Sequence, residues 1–230
     1  MIAGMRAEQA GEVAALHASV LTDSVYTWIG RPFLEYYYRR LLDNPDYACH
    51  VHVHEGRITG FLASTSASGA IFQRQILRDP VRLGLALTGS VARNPRAIPV
   101  LLSASRFLFG QRPTMLPGVD GEVLSFAVLP EYRTAEVGPD GAVRPTPFYT
   151  ATRATVAADL FVAAMQGLAG RGVKRVKIMT PADNAASNRF YAKMGSRLTR
   201  DLPVFGHPTN LYLLDITDVP SLARPGAQRT

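Results

Sequence analysis

The spacing of apolar residues predicts a chain that alternates between helices and strands. Apolar residues recur three and four positions apart over three long segments, which indicates amphipathic helices: 8–21, 31–42 and 151–169. A first short strand is expected over residues 2–5. Residues 47–54 and 57–64 flank the two-residue turn Glu55-Gly56, a pattern typical of an antiparallel hairpin.

The second half of the chain predicts a strand–helix–strand unit with parallel strands. Residues 122–129 are apolar on both alternating faces, as a central strand should be, and residues 173–180 form the next strand. The helix over 151–169 connects them, and a short helix over 184–194 follows. A closing antiparallel pair is predicted over 197–204 and 210–216. This order predicts an α/β fold, with a mixed sheet of about seven strands flanked by helices.

A basic helical insertion separates the third and fourth predicted strands. It spans residues 67–118, with an amphipathic piece that starts at Phe72 and two helices over 81–91 and 97–109. The insertion contains seven Arg and one acidic residue, Asp79. Such a bias suits a phosphorylated acceptor or an anionic membrane surface, whereas the Arg residues lack the interleaved aromatics of a nucleic-acid-binding motif.

Two other segments are poor in periodic apolar residues. Residues 134–150, around the sequence GPDG, are rich in Gly, Pro and Thr and predict a loop or small hairpin. Residues 218–230 predict a flexible tail. We therefore expect a single domain over residues 1–217.

Composition narrows the class of protein. The chain has 230 residues, of which 47% are hydrophobic, so it is long enough for a sizeable core. It shows neither a signal peptide nor an apolar run long enough to span a bilayer, and its one cysteine, Cys49, excludes an internal disulfide. We expect a cytoplasmic protein, a monomer or a homodimer. The net charge of +7 favours anionic partners, although a genome rich in Arg codons explains the excess equally well.

Three sequence motifs resemble those of the GNAT superfamily, the acetyl-CoA-dependent N-acyltransferases. They are LSFAVLPEYR (124–133), GRGVKRV (170–176) and ADNAASNRFYAKMG (182–195). The last is the best match, because a strand followed by Asn, Ala and then Tyr with a Gly four residues on recurs in that family. The resemblance covers most of the chain outside 66–118 and the tail.

The resemblance implies where an acyl-CoA would bind. In that family the fourth and fifth strands splay apart, and the pantetheine arm bonds to exposed backbone of the fourth strand, which here corresponds to Phe126, Ala127 and Val128. Tyr191 corresponds to the residue that protonates the departing thiolate. Asn184 would either bind the cofactor or hold the turn between strand and helix.

The resemblance also implies a candidate base, Glu122, which begins the fourth strand. An alkyl amine has a pKa near ~10.4, so roughly one molecule in a thousand is nucleophilic at pH 7. A carboxylate that acts directly or through a water would remove the excess proton. The alternative is that Glu122 is only the solvated start of a strand.

The diphosphate-binding turn departs from the family pattern. The Gly-containing turn that normally follows the fourth strand is replaced by about 17 additional residues before the helix. The best remaining candidates for binding the diphosphate lie at the start of that helix: Arg153, Ala154, Thr155 and Ala157. The donor is expected to be acetyl-CoA or another acyl-CoA, and an acyl carrier protein would need less of this pocket.

Aromatic and histidine clusters complete the set of candidate residues. Three aromatic residues precede or lie on the second long helix: Tyr26, Trp28 and Tyr37. They could line the acceptor site, although packing in the core explains most such residues. His50, His52 and His54 alternate on one strand, and two such side chains can share a metal, but a polar sheet face is the better interpretation, so no metal is predicted.

Two functions of different classes follow from these observations. The first is an enzyme that moves an acyl group from acyl-CoA to a primary amine of a small molecule, such as an amino sugar or a secondary metabolite, by direct attack. The second is a non-catalytic module with the same fold that binds an anionic partner through its basic insertion.

Overall fold

A seven-stranded mixed sheet forms the centre of the computed structural model. The structure describes residues 1–68, 77–95, 97–99, 101–102, 116–137, 142–204 and 207–216. The order of strands in the sheet is β1-β2-β3-β4-β7-β9-β8, and β5 and β6 form a separate two-stranded sheet. The strands are β1 (Ile2–Gly4), β2 (Tyr47–His54), β3 (Arg57–Thr65), β4 (Gly121–Val128), β5 (Ala135–Val137), β6 (Val143–Pro145), β7 (Arg175–Pro181), β8 (Arg197–Val204) and β9 (His207–Asp215). Only β4 and β7 are parallel among the paired strands described, as the strand–helix–strand pattern predicted.

Helices cover both faces of this sheet. Those with complete described bounds are α1 (Ala10–Val20), α2 (Val25–Ile29), α3 (Arg31–Leu41), α4 (Pro80–Arg93), α5 (Pro147–Thr152), α6 (Val156–Ala169) and α7 (Ala185–Lys193). Within the described ranges, no helix is long and apolar enough to cross a membrane.

Two apolar clusters lie on opposite faces of the sheet. Because successive side chains of a strand point to opposite faces, Phe61 and Ala63 of β3 join a cluster with α1 and α3, whereas Leu62 joins a cluster with α6. We call these the first cluster and the second cluster. Strand β4 contributes to both and is therefore buried on both sides, as its apolar sequence predicted.

The fold class and most element positions predicted from the sequence are confirmed. The boundary before α6 was wrong, because the predicted helix over 151–169 is divided into α5 and α6. Arg153 has a left-handed backbone with φ of 56°, which ends α5 and prevents a continuous helix. Residues 134–150, predicted to be a loop or small hairpin, contain the antiparallel pair β5 and β6 and most of α5.

Several predicted segments fall, in whole or in part, on residues that the structure does not describe. The amphipathic piece that starts at Phe72, residues 103–109 of the predicted insertion helix and the tail over 218–230 lie outside the described residues. The described part of that insertion helix, residues 97–99 and 101–102, is helical.

Gly121 of β4 has no room for a side chain, and replacing it should destabilise the fold. A Cβ atom there would lie 2.7 Å from Cγ2 of Val176 and 2.8 Å from Cγ1 of Val173. We expect Gly121→Ala to lower the free energy of unfolding by about 1–3 kcal/mol, because packed methyl groups must move, as measured by urea denaturation. Gly84→Ala is the matched control: it lies in α4 with no atom within 4 Å of the added Cβ, so it should be neutral or slightly stabilising. Equal free energies for the two variants would contradict the expected crowding.

Candidate active site

The parallel strands β4 and β7 pair over a short distance and then separate. Their register runs through Gly121–Val176, Glu122–Lys177 and Val123–Ile178 and then stops. Strand β4 continues to Val128, while β7 continues to Pro181 and stays paired with β9 to its end. We call the opening between residues 124–128 of β4 and 179–181 of β7 the fork. It lies where the sequence resemblance placed the acyl-CoA site.

A β-bulge in β4 lies directly after the last pair with β7. On β3, Ser64 pairs with Val123 and Ala63 pairs with Ser125, so Leu124 is an extra residue without a partner on β3. A bulge bends its strand and increases the local twist. The bend at Leu124 therefore accounts for the separation of β4 from β7.

Main-chain groups of β4 face the fork at alternate residues. The N–H of Leu129 donates to the carbonyl of Thr59 on β3 at 2.9 Å. Because these directions alternate along an antiparallel ladder, Ala127 also faces β3, whereas Phe126 and Val128 face the fork. The carbonyl of Val128 accepts a hydrogen bond from Nε of Arg133 at 3.0 Å. Of the three residues predicted to bind pantetheine, Phe126 and the N–H of Val128 are thus best placed.

Tyr191 lies on α7, the helix that follows β7, and is its buried residue. Its ring packs against Phe190 at 5.5 Å, Tyr212 at 6.0 Å and Phe161 at 6.2 Å between centroids. It belongs to the second cluster together with Val128 of β4. Burial raises the pKa of Tyr191 well above its ordinary value, so the phenol stays protonated at neutral pH. No described residue forms a hydrogen bond with its hydroxyl.

The other polar residues of α7 hold the structure around the fork. Asn184 is the N-cap, and its Oδ1 accepts from the N–H of Ser187 at 3.0 Å, so it holds the turn between strand and helix. Asn188 Nδ2 lies within 3.2 Å of three carbonyl oxygens, those of Pro181, Ala182 and Asn184. Its Oδ1 accepts from Asn210 and Tyr212 on β9, both at 2.8 Å. Asn188 therefore ties the end of β7 to α7 and β9.

Helical spacing did not identify the buried face of α7 correctly. Asn184, Asn188 and Tyr191 share one side by spacing, and Ala186, Phe190 and Met194 share another. The second set suggests the buried face, yet Tyr191 is buried and Ala186 is exposed. A tyrosine ring is mostly hydrocarbon, so its hydroxyl alone did not make it a surface residue.

Glu122 lies at the base of the fork in a polar contact with two residues. Its Oε2 accepts a hydrogen bond from Oγ of Ser68 at 3.1 Å and lies 3.3 Å from Nζ of Lys177. Sequence reasoning missed Lys177, although a lone charge between Val176 and Ile178 in a central strand was a signal that a partner must exist.

The predicted aromatic wall is divided between core and surface. Tyr37 is buried in the first cluster, where burial, then Tyr26, Tyr38 and Glu122, raise the pKa of Tyr37. Tyr26 is half-buried and stacks on Tyr37 at 5.0 Å between centroids.

Trp28 lies farther along α2 and is also half-buried. Its ring contacts His207 at the start of β9, at 5.6 Å between centroids, a neighbour that the sequence did not suggest. Tyr26 and Trp28 are thus the predicted wall residues that retain exposed surface.

The residues predicted to bind a diphosphate already have local partners. The guanidinium of Arg153 lies 5.6 Å from the centre of the Tyr149 ring, and the N–H of Ala154 donates to Oγ1 of Thr152. Oγ1 of Thr155 bonds to Oδ1 of Asp159 at 3.3 Å. Ala157 lies in the first turn of α6, whose N–H groups favour anions, but the carboxylate of Asp159 in the same turn opposes one.

Each of the three histidines of β2 has its own surroundings. His52 Nδ1 lies 2.6 Å from Oγ1 of Thr59, and the ring of His54 contacts those of Tyr132 and Phe148 at 5.5 and 5.2 Å. His50 packs against Gly167 of α6. In the part of the chain that the structure describes, no group of three His, Cys, Asp or Glu residues could hold a metal.

A buried polar chain connects α1, α3 and β4. His17 is fully buried, with Nδ1 at 2.6 Å from the hydroxyl of Tyr38 and Nε2 at 3.1 Å from Oγ of Ser24. Ser125, one residue after the bulge, lies near the Tyr38 hydroxyl and partly offsets the rise in the pKa of Tyr38 that burial causes. Burial lowers the pKa of His17 from 6.5 to about 4.

The protein should lose stability in mild acid because of His17. Its folded pKa is about 4 and its ordinary value is 6.5, so between these values the unfolded chain binds more protons. The stability is complete above pH 6.5 and falls as the pH drops toward 4, by about 2 kcal/mol at pH 5. Urea denaturation of the wild type and of His17→Gln from pH 7.5 to 5 should show a weaker pH dependence in the variant. Parallel curves for the two proteins would exclude His17 as the source.

The chain resembles known proteins in its structure. Neither a protein-family model nor a curated protein matches the sequence. An N-acetyltransferase from Staphylococcus aureus Mu50 matches with a TM-score of 0.54 and 14% identity over 94% of this chain and 98% of its own. A ribosomal-protein-alanine N-acetyltransferase from Brucella melitensis has a TM-score of 0.54 and 13% identity over 94% and 99%.

A protein from Desulfovibrio desulfuricans assigned to the GNAT family of acetyltransferases matches with a TM-score of 0.52 and 12% identity over 94% of this chain and 99% of its own. These likenesses show that the chain has the GNAT fold. The resemblance seen in the sequence motifs is therefore confirmed for the fold.

Proposed function

We propose that the protein is an N-acyltransferase that moves an acetyl or other acyl group from acyl-CoA to a primary amine. The observation that carries the proposal is the fork, where β4 has main-chain groups without a strand partner beside the cluster that contains Tyr191, whose protonated hydroxyl bonds to no described residue. The structures that share the fold are described as acetyltransferases, which supports the same class of reaction here.

The donor thioester would lie along β4 in the fork. The N–H and C=O of Phe126 and the N–H of Val128 can bond to the amide groups of a pantetheine arm, as a further strand would. This places the arm beside the second cluster, in which Tyr191 lies. Tyr191 would donate a hydrogen bond to the sulfur as the C–S bond breaks. Its raised pKa suits it to stabilise the thiolate by a hydrogen bond rather than by early proton release.

The acceptor amine would approach from the side of Glu122 and α2. Glu122 would take the proton of the ammonium and release it to solvent, and the free amine would then attack the thioester carbonyl without a covalent enzyme intermediate. As the C–S bond breaks, Tyr191 would give its proton to the thiolate and regain one from the nitrogen that becomes the amide. Tyr26 and Trp28 would contact the body of the acceptor, for example an amino sugar or a secondary metabolite.

One observation favours a second donor class. A pantetheine arm would need only the main chain of β4 in the fork, whereas the diphosphate of CoA would meet Asp159 in the first turn of α6, where Arg153 and Thr155 already contact Tyr149 and Asp159. An acyl carrier protein brings the same arm without the nucleotide diphosphate of CoA. We therefore keep a carrier-bound acyl group as the alternative donor.

Donor binding and turnover together test the proposal. Acetyl-CoA at 100-fold excess over its Kd should stabilise the protein by about 2.7 kcal/mol, measured as a shift of thermal melting. Free thiol released from acetyl-CoA in the presence of a panel of primary amines should reveal transfer. Stabilisation and transfer by S-acetyl-phosphopantetheine but not by acetyl-CoA would favour the carrier-bound donor. If no donor stabilises the protein and no amine is acetylated, the proposed function is wrong.

A further inference from the structure

Lys177 is a charged residue in the middle of a buried strand, and its ammonium contacts the proposed base. We propose that Lys177 is a positioning residue that holds Glu122 for proton transfer at the base of the fork. This inference rests on the proposed function, because it gives Glu122 the role of accepting the proton of the amine.

The register of the sheet places the two residues together. Glu122 and Lys177 are direct partners in the parallel pair of β4 and β7, one pair before the strands separate. Lys177 Nζ lies 3.3 Å from Glu122 Oε2, and the two side chains are 1% and 11% exposed. The pair therefore lies inside the protein, one residue pair before the end of the parallel ladder.

The contacts of Glu122 leave one of its oxygens available. The ammonium of Lys177 and the hydroxyl of Ser68 both contact Oε2, and no described residue hydrogen-bonds to Oε1. With Oε2 fixed on two sides, the carboxylate cannot rotate freely, so Oε1 has a defined direction. We infer that Oε1 is the atom that accepts the proton.

The charge of Lys177 matters as much as its position. Four groups face Glu122 from the packed elements that the structure describes: Tyr37 of α3, Thr65 of β3, Ser68 after β3 and Lys177 of β7. Tyr37 stays neutral because burial raises its pKa, and the two hydroxyls carry no charge. The ammonium of Lys177, at 3.3 Å, is the charged group among these four, and its attraction holds the carboxylate in place.

Fold stability alone does not require this pair. A buried ion pair can often be replaced by apolar residues without loss of stability, because removing two charges from water is costly. The neighbours Val176 and Ile178 on β7 are apolar and fully buried. A lysine between them, opposite the proposed base, is therefore better explained by the reaction than by packing.

The test compares the rates of transfer in Lys177→Met, Lys177→Arg and a control. The control is Arg175→Met, on the same strand, whose exposed ion pair with Asp215 at 2.9 Å does not involve Glu122. We expect kcat for the amine to fall about tenfold in Lys177→Met, because Glu122 loses the contact that fixes its Oε2. Lys177→Arg should restore most of the wild-type rate, and Arg175→Met should leave the rate unchanged. The Kd for acetyl-CoA should stay unchanged in all three.

An unchanged kcat in Lys177→Met would overturn the inference, whatever the melting temperature. If Lys177→Met does not fold, Lys177→Gln takes its place, with the same expected loss of kcat and the same unchanged Kd for acetyl-CoA. An unchanged kcat in Lys177→Gln would also overturn the inference. The role of Glu122 as the base fails separately if Glu122→Gln transfers acetyl groups as fast as the wild type, and the proposed function fails if the wild type acetylates no amine.

Discussion

Tyr191→Phe is expected to lower kcat for acetyl transfer at least about 100-fold, while the Kd for acetyl-CoA stays close to that of the wild type. The phenol is protonated, and no described residue hydrogen-bonds to it, so its removal leaves no buried protein group without a partner. The ring contacts with Phe190 and Tyr212 remain, because phenylalanine has the same ring. The substitution should therefore lower kcat by destabilising the transition state, in which negative charge develops on sulfur. Steady-state kinetics and calorimetric titration with acetyl-CoA measure the two quantities.

Tyr212→Phe is the matched control for this prediction. It removes the hydroxyl of a ring in the same cluster, but that hydroxyl bonds to Oδ1 of Asn188. We expect Tyr212→Phe to lower the free energy of unfolding by about 1 kcal/mol and to leave kcat nearly unchanged. Equal losses of kcat in the two variants, or a parallel loss of acetyl-CoA affinity in Tyr191→Phe, would remove Tyr191 from the role of donor to the thiolate.

Asn188→Ala should destabilise the fold by about 3 kcal/mol, because the amide makes several hydrogen bonds at once. Its Nδ2 lies near three main-chain carbonyls, and its Oδ1 accepts from Asn210 and Tyr212. Alanine leaves the buried Tyr212 hydroxyl without its acceptor and frees the end of β7 from α7. Urea denaturation gives the free energy of unfolding.

Asn210→Ala separates the effect of all the hydrogen bonds of Asn188 from the effect of a single hydrogen bond. It removes only the donor that contacts Oδ1 of Asn188, so the expected loss is about 1 kcal/mol. A loss in Asn188→Ala no greater than that in Asn210→Ala would show that water replaces the amide at little cost. In that case Asn188 would not hold β7 and α7 together.

Local sequence patterns were sufficient to predict most of the fold. Strands β2, β3 and β4 and helix α6 have strong periodicity, and the parallel pair of β4 and β7 followed from the helix between them. The break between α5 and α6 was not predicted from the sequence. It depends on the left-handed backbone of Arg153, and an arginine side chain gives no indication of such a conformation.

The candidate site was less predictable, because its contacts join residues far apart in the chain. The resemblance pointed to Glu122 and Tyr191, but the contact with Lys177 depends on the register of two strands that no local pattern fixes. In the sequence, Asn188 was only a polar residue on a predicted helix. Its hydrogen bonds to β9 could be identified only in the folded structure.

The unpaired residue Leu124 decides whether the protein has an opening at all. Without it, Val123 and Ser125 would meet Ser64 and Ala63 in an unbroken ladder, and β4 could run straight beside β7 past Ile178. The hydrogen bonds between these strands would then occupy the main-chain amides of β4 that could otherwise bind an extended ligand. One codon, through the number of residues rather than their chemistry, separates a sheet in which two neighbouring strands part from one in which they stay paired.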